Sequence, residues 1–192
     1  MGRERDLPAL VLRTTIGPMI IAHGANKVFG KGGLDGTTRW FDWLGLKPGW
    51  LHARIAAGTE LTAGTLLTLG ALNPLPEAAV IGLMTAAAAT DHRGKGFFIF
   101  KGGWEYTGVV AAATAALAAL GHGRWSIDRL LGRDRSGAKL ALAATAIGVG
   151  NAALLLATSY RPKKQEPAAA ATTDAATTND AEVPATAAAA AK

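Results

Sequence analysis

The stretch HGANKVFGKGG, residues 23–33, combines polar side chains with a glycine-rich end, as phosphate-binding loops do. A P-loop requires two glycines separated by four residues, then a lysine and a hydroxyl residue that holds Mg²⁺. Here five residues separate Gly24 from Gly30, and Lys31 is followed by Gly32. Glycines after an apolar run are the usual signal for the end of a helix. The stretch therefore predicts a helix end and excludes a phosphate loop.

Charged residues inside apolar segments are the second candidate for chemistry. His23 and Lys27 are four residues apart and therefore share one helix face. At 1.5 Å per residue, Lys27 lies roughly 3 Å and His23 roughly 9 Å inside the helix end at Phe29, whereas Glu60 lies roughly 13 Å beyond Leu51. We expect Glu60 to be the deepest charge, His23 to be its nearest partner, and Lys27 to extend outward to the interface. Such a cluster either binds a ligand or only fixes helix register.

Long segments with few charges must position these side chains. The chain is 49% hydrophobic and 18% charged, whereas soluble domains average about a quarter charged residues. A membrane-spanning helix needs roughly 17–25 apolar residues. Five segments fit this requirement, although the third and fourth are short: 7–29, 51–72, 75–90, 104–121 and 139–159. The alternative for the five segments together is an alanine-rich soluble helical bundle. The alternative for the first segment alone is a cleaved signal peptide.

Composition excludes several kinds of site. Because there is no cysteine, thiol catalysis, thiolate metal sites and disulfides are excluded. The four histidines are dispersed, so no metal site is expected. The net charge of +6 comes from basic residues between the spans, which predicts contact with a lipid bilayer and no nucleic-acid partner. Residues 161–192 are rich in Ala, Thr and Pro and predict a disordered tail.

Antiparallel spans place the connections 30–50 and 91–103 on the same membrane face. That face gathers the candidate polar site, which consists of His23, Asn26, Lys27, Glu60, Glu105 and Tyr106. The same connections carry seven aromatic residues, with an eighth, Trp104, at the end of the second: Trp40, Phe41, Trp43, Trp50, Phe97, Phe98 and Phe100. These form either an ordinary aromatic belt or the mouth through which a lipid-soluble ring compound, such as a quinone, reaches Glu60. The stretch TTRWFDWLG, 37–45, predicts a short interfacial helix.

Four blocks of the sequence resemble, in order and spacing, the signature blocks of the DoxX family of small bacterial membrane proteins. They are HGANKVFG (23–30), ELTAGTLLTLG (60–70), GKGFFIFKGGWEY (94–106) and GRWSIDRLLG (123–132). The resemblance implies a multi-pass, all-α bundle of four helices over residues 1–132 in the plasma membrane. This chain would add a fifth transmembrane helix, 139–160, and the tail, 161–192. The blocks add five motif positions to the candidate site: Gly24, Phe29, Gly30, Gly102 and Gly103.

The function implied by the resemblance is that of a membrane subunit of a redox complex active in oxidative stress. A quinone is the candidate ligand, and a sulfurtransferase and a superoxide dismutase are the candidate soluble partners. No recognised catalytic motif is present, so the sequence leaves open whether the chain is an enzyme. A non-catalytic membrane scaffold and a small-solute transporter are the alternatives.

Overall fold

The computed structural model describes residues 3–162, and these residues fold as helices joined by loops. The predicted tail, 161–192, lies outside the described residues from 163 onward. Seven α-helices are present in the described part: α1 (Arg3–Phe29), α2 (Gly33–Leu44), α3 (Gly49–Leu69), α4 (Leu75–Ala89), α5 (Glu105–Leu120), α6 (Ile127–Leu130) and α7 (Ala138–Ser159). A short 3-10 turn, Ile99–Lys101, precedes α5.

Each of the five predicted segments is a helix, and the short helix predicted over 37–45 falls within α2, whereas its place in the membrane interface stays a prediction. By length and composition, one described helix, α7, is able to cross a membrane. Helices α4 and α5 are apolar but have only 15 and 16 residues. Helices α1 and α3 are long enough but more polar. The all-α prediction is therefore confirmed for the described residues, whereas crossing by all five helices stays a prediction.

The long helices run antiparallel in turn, which gives the bundle two ends. At the first, here called the site end, the loop after α2 meets the end of α7: Lys47 N–H donates to the Ser159 carbonyl at 2.8 Å, and Arg161 N–H donates to the Gly45 carbonyl at 2.7 Å. At the other, the far end, Gly137 N–H donates to the carbonyl of Ala119 at 2.7 Å. Arg161, the first residue of the predicted tail, is thus paired through its backbone, and the tail over 161–192 stays a prediction.

Glycines allow α1 and α3 to touch along their backbones. A Cβ atom placed on Gly17 would lie 2.8 Å from the Gly64 carbonyl oxygen, and one on Gly64 would lie 2.7 Å from the Gly17 oxygen. Nearer the site end, a Cβ on Gly24 would lie 3.0 Å from the Cβ of Glu60. In a membrane, where burying apolar surface contributes little to helix association, small residues at the contact allow two helices to approach closely. The spacing fixes which residues of α1 and α3 face each other.

Helix α7 is packed into the bundle in the same way. A Cβ on Gly148 would lie 2.6 Å from the Ala78 carbonyl oxygen and 2.9 Å from the Gly82 nitrogen. Buried Ala144 packs with Ala78 and Ile81 in the same contact. The fifth helix therefore lies along α4 and forms part of the bundle, rather than standing apart as an addition to it.

Alanine substitutions at Gly64 and Gly58 of α3 should distinguish the effect of helix packing on stability from the effect of helix propensity. Gly64→Ala should lower the free energy of unfolding by about 1–3 kcal/mol because the added methyl overpacks the α1 contact. Gly58→Ala should raise it by about 0.5–1 kcal/mol, since nothing lies within 4 Å of a Cβ there and alanine favours the helix. Chemical unfolding of both variants in the same detergent measures the difference. Equal stability of the two would contradict the close α1–α3 contact.

Candidate functional site

A buried ion pair joins α1 and α3 near the site end. The Lys27 Nζ lies 2.6 Å from Oε1 and 2.7 Å from Oε2 of Glu60. The two side chains are only 14% and 7% exposed. Hydrogen bonds between charged groups in such surroundings are the strong ones, and each charge neutralises the other where water is scarce.

The direction in which helical side chains lean explains this pairing. Side chains of an α-helix point toward its N-terminus. Lys27 therefore leans from the end of α1 back into the bundle, and Glu60, on the antiparallel α3, leans toward the site end. The sequence-based expectation that His23 would be the partner of Glu60, with Lys27 turned outward, is wrong because it compared only the heights of the Cα atoms.

His23 instead contacts α5. Its Nε2 lies 3.2 Å from the Tyr106 hydroxyl, and that hydroxyl donates to the Met19 sulfur at the same distance. Because His23 and Lys27 share one face of α1, the His23–Tyr106 pair and the Lys27–Glu60 pair lie side by side. Four of the six candidate polar residues are thus brought together.

The other two candidates serve local structure. Glu105 accepts a hydrogen bond from the Ile99 N–H at 3.0 Å and closes the aromatic loop onto the start of α5. Asn26 is exposed on another face of α1, and its carbonyl accepts the Gly30 N–H at 2.9 Å where the helix ends. Neither side chain lines the space next to the ion pair.

Most of the motif positions act through their backbone rather than through a side chain. Gly24 provides the close approach to Glu60 described above. Gly103 has no room for a side chain, since a Cβ there would lie 2.4 Å from the Phe97 backbone. The Gly102 carbonyl bonds the Nδ1 of His92 at 2.6 Å. Phe29, by contrast, is 82% exposed at the end of α1.

A cavity of about 480 Å³ opens beside the two pairs. Helices α2, α3, α4 and α7 supply its largely apolar wall, to which Trp40, Leu83 and Leu155 contribute. The polar groups include both pairs together with His52 and Asn151. Sizes of roughly 300–1,000 Å³ with a few convergent polar groups are typical of small-molecule sites.

Sequence reasoning missed His52 and Asn151 as cavity residues. His52 is 6% exposed, and its Nε2 bonds the Lys47 carbonyl at 3.2 Å. In the sequence it stands between Trp50 and Arg54, so it looks like one more interfacial residue. Asn151 belongs to the helix that was treated as an addition, and only the packing of α7 against α4 brings it to the cavity.

The geometry can be compared with known proteins. The family model DoxX matches residues 9–93. This stretch of the chain is a DoxX domain. No curated protein and no solved structure matches the chain. The DoxX domain covers the Lys27–Glu60 pair and most of α1 to α4, and it ends before Tyr106 and the aromatic loop.

DoxX is a family of membrane proteins, and the match together with α7 indicates a membrane protein in contact with a lipid bilayer. The two later sequence blocks, 94–106 and 123–132, lie outside the matched stretch. The four-helix unit over residues 1–132 stays a prediction.

The ion pair of the DoxX domain should show strong coupling in a double-mutant cycle. Glu60→Leu leaves the buried Lys27 charge unpaired, and Lys27→Met leaves the Glu60 carboxylate unpaired. Each single change should cost about 3–5 kcal/mol of unfolding free energy, whereas the double change should recover most of either loss. Asp42→Asn is the matched control, since Asp42 pairs with Lys47 at 2.7 Å on the surface and should change stability little. Strictly additive losses in the cycle would contradict a buried pair.

Proposed function

We propose that this chain is a multi-pass protein of the bacterial plasma membrane whose cavity binds a lipid-soluble ring compound, with a quinone as the candidate. The observation that carries this proposal is the largely apolar cavity bounded by the Lys27–Glu60 and His23–Tyr106 pairs. An apolar ring with polar substituents matches such a wall, because the ring fills the apolar space and the substituents meet the polar groups.

The packing supports five crossings. Helix α7 is long and apolar enough to span, and α4 lies along it through Gly82 and Gly148. We expect a helix that packs lengthwise against a spanning helix to span as well, and α5 packs on both α4 and α7. At 1.5 Å per residue α4 is roughly 23 Å long, somewhat shorter than the hydrocarbon of about 30 Å, so its flanking residues complete the crossing.

Cysteine labelling tests this topology, because the chain has no cysteine of its own. Asp35→Cys and Lys95→Cys, at the site end, should react with a membrane-impermeant maleimide from the same side of sealed cells, and Arg133→Cys, at the far end, from the other side. The unchanged protein is the blank. Reaction of all three from one side would contradict the crossings.

Hydrogen-bond capacity beside the cavity suits a carbonyl ligand. A lysine ammonium carries three N–H donors, and two of those of Lys27 are directed at Glu60. In the described part of the chain the third has no protein acceptor, so it is free to donate to a ligand oxygen. The Tyr106 hydroxyl is a second donor, because its proton can turn from the Met19 sulfur, a weak acceptor, to a ligand oxygen.

Anchoring of soluble oxidoreductases, among them a sulfurtransferase or a superoxide dismutase, is a further part of this proposal that rests on the family resemblance. The scaffold and transporter alternatives differ from it in what the cavity holds. A scaffold needs no ligand there, and a transporter moves a small solute through it.

Titration with a short-chain quinone tests the binding. Trp40 lines the cavity, so a bound quinone should quench tryptophan fluorescence of the detergent-solubilised protein with saturation. Tyr106→Phe removes one hydrogen bond of about 1 kcal/mol and should weaken binding roughly fivefold. Tyr160→Phe is the matched control. Tyr160 packs behind Leu46 and does not itself line the cavity, so this change should leave the affinity for quinone unchanged.

Three results would count against the quinone proposal. Protein purified in mild detergent could contain no extractable quinone, or quenching could fail to saturate; both outcomes favour the scaffold. Solute uptake into proteoliposomes without any quinone effect would favour the transporter.

A further inference from the structure

We propose that Glu77, His122 and Asp128 form a proton-binding latch at the far end of the bundle, which holds the segment 121–128 against α4 while the histidine carries a proton. The latch is independent of the cavity and of its ligand. It lies at the opposite end of the helices from the Lys27–Glu60 pair.

The three side chains form a continuous buried row. His122 Nε2 lies 2.6 Å from Glu77 Oε1, and His122 Nδ1 lies 2.9 Å from Asp128 Oδ2. The side chains of Glu77 and His122 are 0% exposed and that of Asp128 is 4% exposed. Water therefore cannot replace either bond while the segment is in place.

Only a doubly protonated imidazole satisfies both carboxylates. An ionised carboxylate only accepts hydrogen bonds, and a neutral imidazole donates from one nitrogen alone. Asp128 also accepts the N–H groups of Leu72 and Asn73, at 2.8 and 3.0 Å, so each of its two oxygens already acts as a hydrogen-bond acceptor. Loss of the histidine proton would leave a nitrogen lone pair facing a carboxylate oxygen at one of the two short contacts.

Glu77 depends most on the shared proton. Its Oε2 is buried and has no hydrogen-bond partner in the described residues. Its Oε1 contacts His122, and this is the one side-chain hydrogen bond in the described part of the chain that joins the segment 121–128 to α4. A buried carboxylate without a counterion is strongly unfavourable, so loss of the proton destabilises that contact.

The surrounding charges come from α1 and from the loop after α6, where Asp134 lies beside Gly121 and pairs with Arg5 of α1 at 2.9 Å. The Arg13 guanidinium donates to the carbonyls of Thr68 and Trp125, and Asp6 accepts the Arg124 N–H at 3.0 Å. These bonds fix the neighbouring backbone and do not supply a second donor to Glu77. The acidic partners that face the imidazole are thus Glu77 from α4 and Asp128 from α6.

The sign of the pH dependence follows from the environment of His122. Burial lowers its pKa, but the hydrogen bonds and charges of Glu77 and Asp128 outweigh this and hold the pKa above its ordinary value. The contribution of the latch to stability is therefore complete below the ordinary histidine pKa of about 6.5 and is lost as the pH rises through the elevated one.

Amide hydrogen exchange of the full chain in detergent tests the latch, at pH 6 and pH 9 and corrected for the intrinsic exchange rate. In the unchanged protein, protection of residues 121–131 should fall by about tenfold or more at pH 9, because the imidazole then lacks the proton that it donates to Glu77. In His122→Gln the corrected protection should be independent of pH. Protection that does not change with pH in the unchanged protein would overturn the proposal.

Two further variants keep the test decisive. His92→Gln is the matched control, because His92 bonds the Gly102 backbone and no carboxylate; it should retain the full pH effect. If His122→Gln does not fold, Glu77→Gln, which keeps the shape of the side chain, should reduce the pH effect to the part that Asp128 supports. A pH effect that survives in a folded His122→Gln protein, or that is undiminished in Glu77→Gln, would show that another group carries it.

Discussion

The need to neutralise buried charge governs this bundle. Lys27 and Glu60 are placed in α1 and α3 where neither side chain reaches water freely, and each is tolerable only because the other is within hydrogen-bond distance. That distance depends on backbone contact between the helices through Gly17, Gly24 and Gly64. The glycines and the ion pair therefore depend on each other. Without the close approach of the helices the two charges would not meet, and without the charges the register of the two helices would be less strictly specified.

Buried carboxylates are neutralised in different ways at the two ends of the bundle. At the site end a lysine and a carboxylate pair directly, and a cavity lies beside them. At the far end two carboxylates are joined through His122, with backbone N–H groups completing the shell of Asp128. The first arrangement is a direct pair of opposite charges, whereas the second needs a proton on the histidine to join its two carboxylates. The proposed ligand cavity and the proposed proton-binding latch therefore lie at opposite ends of the bundle.

Helix α7 changes the view of what the functional unit is. It follows the DoxX domain in the chain, yet it packs along α4, pairs with the loop after α2 and supplies Asn151 and Leu155 to the cavity wall. A ligand in this cavity would touch both the family domain and the last helix. Selectivity for a ring compound would then depend partly on residues beyond those that the family model matches.

The sequence by itself determined the helices, their order and the polar residues of interest, because these follow from local composition: long apolar runs, glycine stops and the rare charges within them. It also indicated the DoxX family from four ordered blocks. It did not determine which polar side chains pair with one another. Lys27 pairs with Glu60 because side chains lean toward helix N-termini on antiparallel neighbours, and Glu105 turns away because it closes its own loop. Glu77, His122 and Asp128 meet only in the folded chain, since up to 51 positions separate them and their contact depends on how α4, α5 and α6 pack, which is a property of the tertiary structure alone.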